Sequence, residues 1–368
     1  MDNEKIALMK ARIEEQIKKI DEKTFSIYFY VVDTKGVASG SLSYIYDIAL
    51  SLKEMGYNVG MMHSEEEFVG VEEWLGQKYS ELPHYNVEKK SIDVGPSDIL
   101  FIPEIYSNVM TATKKLPCQR VAILQSFEKL TEFIPFGATW ADLGINRVIT
   151  TNTANEKRIK SYFPRITSHV ITPKISNVFQ KSEEPKKLMV NIVTRESTDI
   201  NKIVKPFFWQ YPMYQWVAFR ELSGMSREDF SNALQEAAIT IWVDNETDFG
   251  YVPLEVMKCG SIVVGKVPDN IPEWMLDNKE GVMDLSESGI WVENLASIPS
   301  VLASVIRTWT MDEIPSNLQD SADKLVSFYT EGKQLQDIKT EIIDKIIGGR
   351  REEFVKTLES LNNNTKEE

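Results

Sequence analysis

Residues 247–265 read TDFGYVPLEVMKCGSIVVG and combine a glycine turn, a short helix and a buried strand. Pro253 stands in the first turn of the predicted helix, where the missing N–H of proline is no loss. The free backbone N–H groups at such a helix start favour a phosphate as ligand. Glu255 follows within the same turn, close enough to reach the rest of a nucleotide. The segment therefore predicts a nucleotide-diphosphate site.

Strand and helix patterns alternate on both sides of this segment. Strands are predicted first at residues 25–33, 58–63, 98–104, 120–126, 147–152 and 169–173 and, after a polar linker, at 188–194, 214–219, 238–244 and 261–265. Such Val/Ile/Leu runs between helices are typical of parallel sheets covered on both faces. We therefore expect an α/β protein with two doubly wound, Rossmann-like domains, residues 1–179 and 180–344, facing a ligand cleft.

Helices can be predicted from apolar spacing and end signals. Residues 4–20 carry an apolar stripe and should pack on the body of the protein, with a membrane-surface or self-association role as the alternative. A second helix should end at Gly56. Thr153 and Glu156 have capping-box spacing, which predicts a helix from Thr153 to about Tyr162. Beyond about residue 290 the pattern is helical.

Composition restricts the class of protein. The net charge of −14 disfavours a nucleic-acid partner, because such binding depends on Lys and Arg. No apolar run approaches the ~20 residues that span a bilayer, and the N-terminus lacks a signal-peptide core. Two cysteines fit a reducing cytoplasm, and three histidines lack metal-ligand spacing. We expect a cytoplasmic protein without a transmembrane segment, a metal or a cofactor, and the oligomeric state stays open.

Two further groups of residues suit a phosphorylated ligand. Gly36, Ser39 and Gly40 lie between the first strand and a helix, where backbone N–H groups can approach a ligand. A simple β–α turn is the alternative interpretation. Arg195 follows the first strand of the second domain and Lys202 lies about two turns on, so both can meet a diphosphate. A solvated surface pair is the alternative.

The tryptophans receive no functional role from the sequence. Trp74, Trp140, Trp209 and Trp216 could line a groove, but packing in the core is the commoner fate of large aromatic side chains.

Taken together, these segments resemble glycosyltransferases of the GT-B fold, specifically the retaining family 4 type that uses sugar nucleotides. The family signature runs roughly E-x-F-G-x-x-x-x-E, then a small-residue turn and a hydrophobic strand. The corresponding residues here are Thr247, Phe249, Gly250 and Glu255, before the strand at 261–265. Residues 225–245 resemble the helix and strand before the signature, and 267–275 and 280–285 resemble the elements after it.

The resemblance implies a role for each group of candidates. The loop with Gly36, Ser39 and Gly40 would face the transferred sugar and the acceptor. Arg195 and Lys202 would hold the donor diphosphate and compensate the charge that grows on the leaving group. No metal is needed in such enzymes. The donor would be a UDP- or GDP-sugar and the acceptor an unknown glycan, lipid or protein.

The signature segment would bind the remainder of the nucleotide sugar. Glu255 would hold the ribose, and residues 219–225, with Leu222 at their centre, would border the base mainly through backbone groups. The last residues, 345–368, would cross back onto the first domain. Four consecutive residues would meet the sugar or phosphate with their backbone: Phe249, Gly250, Tyr251 and Val252.

Two departures from the family pattern leave the activity open. Thr247 replaces the first signature glutamate, and the neighbouring Asp248 is the candidate catalytic carboxylate in its place. The family usually has a histidine after the fourth strand, where Gln125 and Ser126 stand here. The chain is therefore either a transferase or a catalytically degenerate subunit that binds a nucleotide or a partner. A nicotinamide enzyme is a third reading, which the glycine spacing disfavours.

Overall fold

The computed structural model of the chain describes residues 3–89, 91–247, 249–276, 289–313 and 316–364. These residues divide into two compact units. The first unit comprises the described residues within 1–72, 77–172 and 334–368, and the second those within 73–76 and 173–333. Each unit is built around its own parallel sheet.

Seven parallel strands form the described sheet of the first unit, in the order β3-β2-β1-β4-β5-β6-β7. The direction of winding reverses between β1 and β4, so the loops that follow these two strands diverge at the carboxyl edge. The strands are β1 (Ser26–Tyr30), β2 (Asn58–His63), β3 (His84–Asn86), β4 (Ile99–Pro103), β5 (Gln119–Leu124), β6 (Arg147–Thr150) and β7 (Thr167–Val170).

Five parallel strands form the described sheet of the second unit, in the order β12-β11-β10-β8-β9. Here the winding reverses between β8 and β10, which pair over most of their length. The strands are β8 (Lys187–Thr194), β9 (Ala218–Glu221), β10 (Ala237–Val243), β11 (Ile262–Lys266) and β12 (Ile290–Val292).

Helices connect these strands and form the C-terminus. None of those in the described ranges is both long and apolar enough to cross a membrane. The α-helices are α1 (Asn3–Asp21), α2 (Gly40–Glu54), α3 (Glu72–Leu75), α4 (Ser107–Ala112), α5 (Phe127–Phe133), α6 (Thr153–Tyr162), α7 (Ser197–Gln210), α8 (Arg227–Glu236), α9 (Tyr251–Lys258), α10 (Ile298–Thr310), α11 (Ser316–Val326), α12 (Glu331–Asp337) and α13 (Gly348–Asn364). A π-helix covers Ile338–Ile347, and 3-10 turns cover Gln77–Glu81, Pro212–Tyr214, Glu273–Met275 and Leu295–Ser297.

The helix predictions are confirmed with one correction to a cap. Helix α6 has the predicted bounds, but Asn152 rather than Thr153 is its N-cap and accepts the N–H of Asn155 at 2.7 Å. Helix α1 packs against α13. The guanidinium of Arg351 donates to both carboxylate oxygens of Asp21, at 2.6 and 3.0 Å, across that contact.

The strand predictions fail at three places, one of which is β12 (Ile290–Val292), where the sequence pattern was expected to be helical. The strand expected at 214–219 begins only at Ala218, because Pro212–Tyr214 forms a 3-10 turn. Strand β3 is three residues long and was not expected, since so short a run has no usable periodicity. The segment 280–285 lies outside the described residues. Of the four tryptophans considered in the sequence analysis, Trp74 and Trp140 are buried, whereas Trp209 and Trp216 are exposed.

Phe29 offers a test of the first core. Its ring is fully buried on β1 and stacks on Phe101 of β4, with the ring centroids 4.7 Å apart. We expect Phe29→Ala to lower the free energy of unfolding of the first unit by about 3–5 kcal/mol, because a buried cavity is left. The matched control, Phe136→Ala, removes a fully exposed ring in the same unit and should change it by less than about 0.5 kcal/mol. Urea denaturation measures the free energy of unfolding of both variants. Equal losses in Phe29→Ala and Phe136→Ala would contradict the described core.

Candidate functional site

The turn before α9 has a backbone that requires glycine. Gly250 is the N-cap of α9 with φ 71° and ψ 67°, in the left-handed region. A Cβ atom there would lie 3.3 Å from Pro272 Cγ and 3.4 Å from the ring of Trp274. The indole N–H of Trp274 also donates to the carbonyl oxygen of Phe249. The left-handed turn is therefore held against these two side chains.

Thr247 has a structural role in this turn. Its hydroxyl oxygen accepts the N–H of Gly250 at 2.9 Å, so it closes the turn at the position where the resemblance expects a carboxylate. The ring of Phe249 is buried against Tyr251 and Tyr329. Gly250, the N-cap residue, has no side chain that could cap the start of α9. Asp248 lies outside the described residues.

Glu255 carries a carboxylate that has no partner among the described residues. It is partly exposed and makes no hydrogen bond or ion pair with any residue that the structure describes. Burial raises its pKa to about 7, and the charges of Arg227 and Lys258 only partly offset this. The ammonium of Lys258 is held by the carbonyl oxygens of Ile175 and Ser176, at 2.9 and 3.1 Å. The carboxylate therefore stays available to a ligand.

Arg227 is a candidate that sequence reasoning missed. It is the first residue of α8, is partly exposed, and forms no ion pair or hydrogen bond within the described ranges. Its charge nevertheless acts on Glu255. A positive side chain in the first turn is unfavourable, because the helix dipole is also positive there. This unfavourable position is the sequence signal that could have pointed to Arg227. The structure thus brings Arg227 into the electrostatic range of Glu255, and neither side chain has a partner in the described part of the chain.

Arg195 and Lys202 are each paired with acidic residues. Arg195 donates to Asp244 at 2.9 Å and to Glu246 at 3.4 Å, and Lys202 donates to Asp199 at 2.7 Å. Hydrogen bonding to Asp199 raises the pKa of Lys202. Both cations are more than half exposed, so a ligand can reach them. They form no free cationic pair, since three carboxylates already compensate two positive charges.

Leu222 is less accessible than the resemblance implies. Its side chain is buried in the core, and its N–H donates to the carbonyl oxygen of Ile192 at 2.9 Å, which extends the pairing of β8 with β9. That N–H is therefore not free to contact a base. Within the described parts of the chain, no group of three or more His, Cys, Asp or Glu side chains could hold a metal ion.

The glycine loop of the first unit has a local structural role. Lys35 and Gly36 have φ values of 54° and 80°, and the N–H of Val37 donates to Thr34 at 3.0 Å. Because both central residues of this hydrogen-bonded turn have left-handed backbone conformations, the turn itself accounts for a glycine at position 36, and no ligand is needed to explain it. Ser39 is the N-cap of α2 and accepts the N–H of Leu42 at 3.4 Å. Gly40 begins α2 and is exposed.

Gln125 is tied to the start of α2. Its side-chain amide donates to the carbonyl oxygen of Ser41 at 3.1 Å. The buried carboxylate of Glu104 accepts the N–H groups of Gln125 and Ser126, at 3.2 and 2.8 Å. The position of the expected histidine therefore carries a neutral amide that holds two loops together.

No family model matches the chain, and no curated protein matches it. Several solved structures are similar to the chain. Sucrose-phosphate synthase from Thermosynechococcus elongatus is 12% identical with a TM-score of 0.57, covering 85% of this chain and 97% of that one. The pneumococcal O-GlcNAc transferase GtfA, in complex with UDP and GlcNAc, is 8% identical with a TM-score of 0.56, covering 92% and 99%. A glycosyltransferase from Rickettsia africae is 11% identical with a TM-score of 0.56, covering 88% and 98%.

These similarities concern the fold, because every identity is low. The chain has the GT-B type of α/β fold, with an added N-terminal helix and a helical C-terminus, and the predicted fold class is confirmed.

The raised pKa of Glu255 predicts a dependence of stability on pH. The carboxyl titrates near 4.5 when unfolded and near 7 when folded, so the folded protein loses stability as pH rises through this range. Glu255→Gln should therefore stabilise the protein by about 1–3 kcal/mol at pH 8 and by much less near pH 5. Urea denaturation at both pH values measures the difference. A gain that does not depend on pH would contradict the perturbed carboxyl.

Proposed function

We propose that the chain is a glycosyltransferase of the retaining, metal-independent family 4 type, which transfers a sugar from a nucleotide-diphosphate sugar to an acceptor hydroxyl. The proposal rests mainly on the environment of the Glu255 carboxylate. A partly buried carboxylate, without a partner among the described residues, follows a left-handed glycine turn at a helix start, in a fold shared with glycosyltransferases. Such an arrangement destabilises the free protein and is explained by a ligand.

The nucleotide would satisfy these groups. The ribose hydroxyls would donate to Glu255 and favour its ionised form, which lowers its pKa. The Phe249–Val252 backbone would meet the sugar or a phosphate oxygen at the positive end of the helix dipole. Arg227 would help to keep Glu255 ionised.

Transfer would proceed at the anomeric carbon. The acceptor hydroxyl would attack from the face of the departing diphosphate, the bond from carbon to phosphate oxygen would break, and that oxygen would leave with the electron pair. The acceptor proton would pass to the diphosphate. Arg195 and Lys202 would stabilise the growing negative charge after exchanging their carboxylate partners for phosphate.

The cytoplasm is the proposed location of this reaction. Both cysteines, Cys118 and Cys259, are buried free thiols, which agrees with a reducing compartment.

Binding without transfer is the second candidate function. Thr247 closes a turn where a carboxylate would contact the sugar, and the amide of Gln125 is bound to Ser41. The carboxylates of Asp244 and Glu246 also compete with phosphate for Arg195. These contacts favour a protein that holds a nucleotide or a partner without turning over a donor.

Nucleotide binding tests the site. We expect UDP, GDP or ADP to bind the wild type, and Glu255→Ala to weaken that binding by about 10–100-fold, because hydrogen bonds to a charged group are lost. Calorimetric titration of all three nucleotides gives the affinities. The matched control is Glu183→Ala, which removes an exposed carboxylate on the amino-terminal side of β8 and should bind as the wild type does. If both variants bind equally well, Glu255 is not a nucleotide ligand.

Donor turnover separates the two candidates. The wild type should release nucleoside diphosphate from at least one UDP-, GDP- or ADP-sugar. Each donor is tested with glycan, lipid and protein acceptors present. If the protein binds the nucleotide but releases nucleoside diphosphate from no donor, it binds a nucleotide without transferring a sugar.

Freeing Arg195 tests the charge competition. The double variant Asp244→Asn/Glu246→Gln should bind the diphosphate about 3–10-fold more tightly, because the guanidinium no longer has two anionic partners. The control is Glu183→Gln/Asp320→Asn, which removes two charges at exposed positions elsewhere in the second unit. Equal gains in both variants would point to net charge instead of Arg195.

A further inference from the structure

Two histidines lie side by side in the first unit, and neither belongs to the candidate site. His63 ends β2 and is 5% exposed, and His84 begins β3 and is partly buried. Their ring centroids are 6.1 Å apart. Beside them lies the segment that follows β2, residues 64–70 (SEEEFVG), which we call the acidic loop.

Phe68 of the acidic loop contacts both imidazoles. The centroid of its ring lies 4.1 Å from that of His63 and 4.7 Å from that of His84. Its neighbours Glu67 and Val69 are exposed, so the phenyl ring is the side chain that packs this part of the loop on the unit. The surface under the ring therefore consists of two groups that change their charge near neutral pH.

These contacts suit neutral imidazoles. The Nδ1 atoms of His63 and His84 are inaccessible to water and have no hydrogen-bond partner in the described residues. An imidazolium donates from both ring nitrogens, so a charge would leave a buried donor unsatisfied on each ring. The Nε2 atom of His84 lies 3.5 Å from the hydroxyl of Tyr46, whose side chain is fully buried.

Charged groups from four parts of the first unit act on the two imidazoles. They are Asp33 after β1, Glu65 in the acidic loop, Glu72 at the start of α3 and Lys89 after β3. Oε2 of Glu65 is 3.6 Å from Nδ1 of His63, beyond hydrogen-bonding distance, and Lys35 compensates Asp33 at 3.1 Å. Burial outweighs the carboxylates and lowers the pKa of both histidines, and a charge on His63 adds to this effect on His84.

The acidic loop is bonded to the glycine loop of the first unit. The N–H of Val69 donates to Oδ2 of Asp33 at 2.8 Å, and the N–H of Asp33 donates to Oε1 of Glu65 at 3.3 Å. The ammonium of Lys35 donates to the carbonyl oxygen of Glu67 at 2.6 Å. These three hydrogen bonds join the loop after β1 to the loop after β2, so a movement of the acidic loop would also release the glycine loop.

Protonation opposes this closed arrangement. A histidine whose pKa is lowered by burial binds its proton more tightly once the acidic loop has moved away. The closed arrangement is therefore favoured above the ordinary histidine pKa of 6.5 and loses stability as pH falls below it. Because two histidines contribute, one opening event can take up as many as two protons.

We propose that residues 64–70 form a pH-sensitive closure of the first unit. At neutral pH, Phe68 packs on the uncharged His63 and His84 and holds the acidic loop in place. Acid charges the two imidazoles and releases the acidic loop together with the glycine loop. The closure does not depend on nucleotide binding or transfer, because every residue in it belongs to the first unit.

Hydrogen–deuterium exchange of the full-length protein tests the closure. Protection factors, which correct for the intrinsic pH dependence of exchange, are measured for residues 64–70 and 33–37. From about pH 7.5 to about pH 5.5 both segments of the wild type should lose protection by about threefold or more, while β1 stays protected. A wild type in which these segments keep or gain protection over this range overturns the proposal.

Glutamine variants identify the groups that respond to pH. In His63→Gln/His84→Gln the protection of residues 64–70 should no longer change with pH, because both side chains stay neutral. The matched control, His169→Gln, removes the third histidine, which is buried on β7 and bonded to Glu341 at 2.9 Å, and should respond as the wild type does.

A single variant guards against misfolding of the double variant. His84→Gln should reduce the loss of protection without abolishing it, because one titrating imidazole remains under Phe68. An unchanged pH response in the folded double variant or in His84→Gln overturns the proposal. So does a response that disappears in His169→Gln, because the pH dependence would then arise outside the acidic loop.

Discussion

All the described strands in both sheets run parallel to their neighbours, and the rest of the structure depends on this constraint. A parallel strand needs a crossover, so every loop that follows a strand lies at the same edge of its sheet. In the second unit this arrangement gathers Arg195 after β8, Leu222 after β9 and the start of α9 after β10 at one edge. The opposite edge carries the end of α7, where Trp209 is exposed. Parallel pairing therefore separates two surfaces with different chemistry.

The start of α9 combines features that weaken the free protein. Gly250 occupies a left-handed conformation, and Glu255 has a pKa near 7 without a partner among the described residues. Thr247 stabilises the turn but presents a hydroxyl instead of a carboxylate. These features support nucleotide binding more directly than they support transfer.

The candidate site was predictable where a role depends on local chain geometry. Gly250 and Glu255 belong to one turn and one helix start, so their spacing was enough to place them together. Arg227 was missed because its relation to Glu255 joins two different helices. The pairing of Arg195 with Asp244 was missed for the same reason, since the two residues follow different strands. The burial of the Leu222 side chain depends on packing from several elements, and its role beside the base stays a prediction.

The sequence by itself determined the α/β class, most strand positions and the glycine turn, because these follow from periodicity and backbone preference over a few neighbouring residues. Tertiary structure alone decided which charges are compensated, which carboxylate is left without a partner in the described residues, and which tryptophans are exposed. Trp140 is buried and Trp216 is exposed, and the sequence could not tell the two apart. Burial and electrostatic pairing depend on residues distant in the chain, and no local pattern records them.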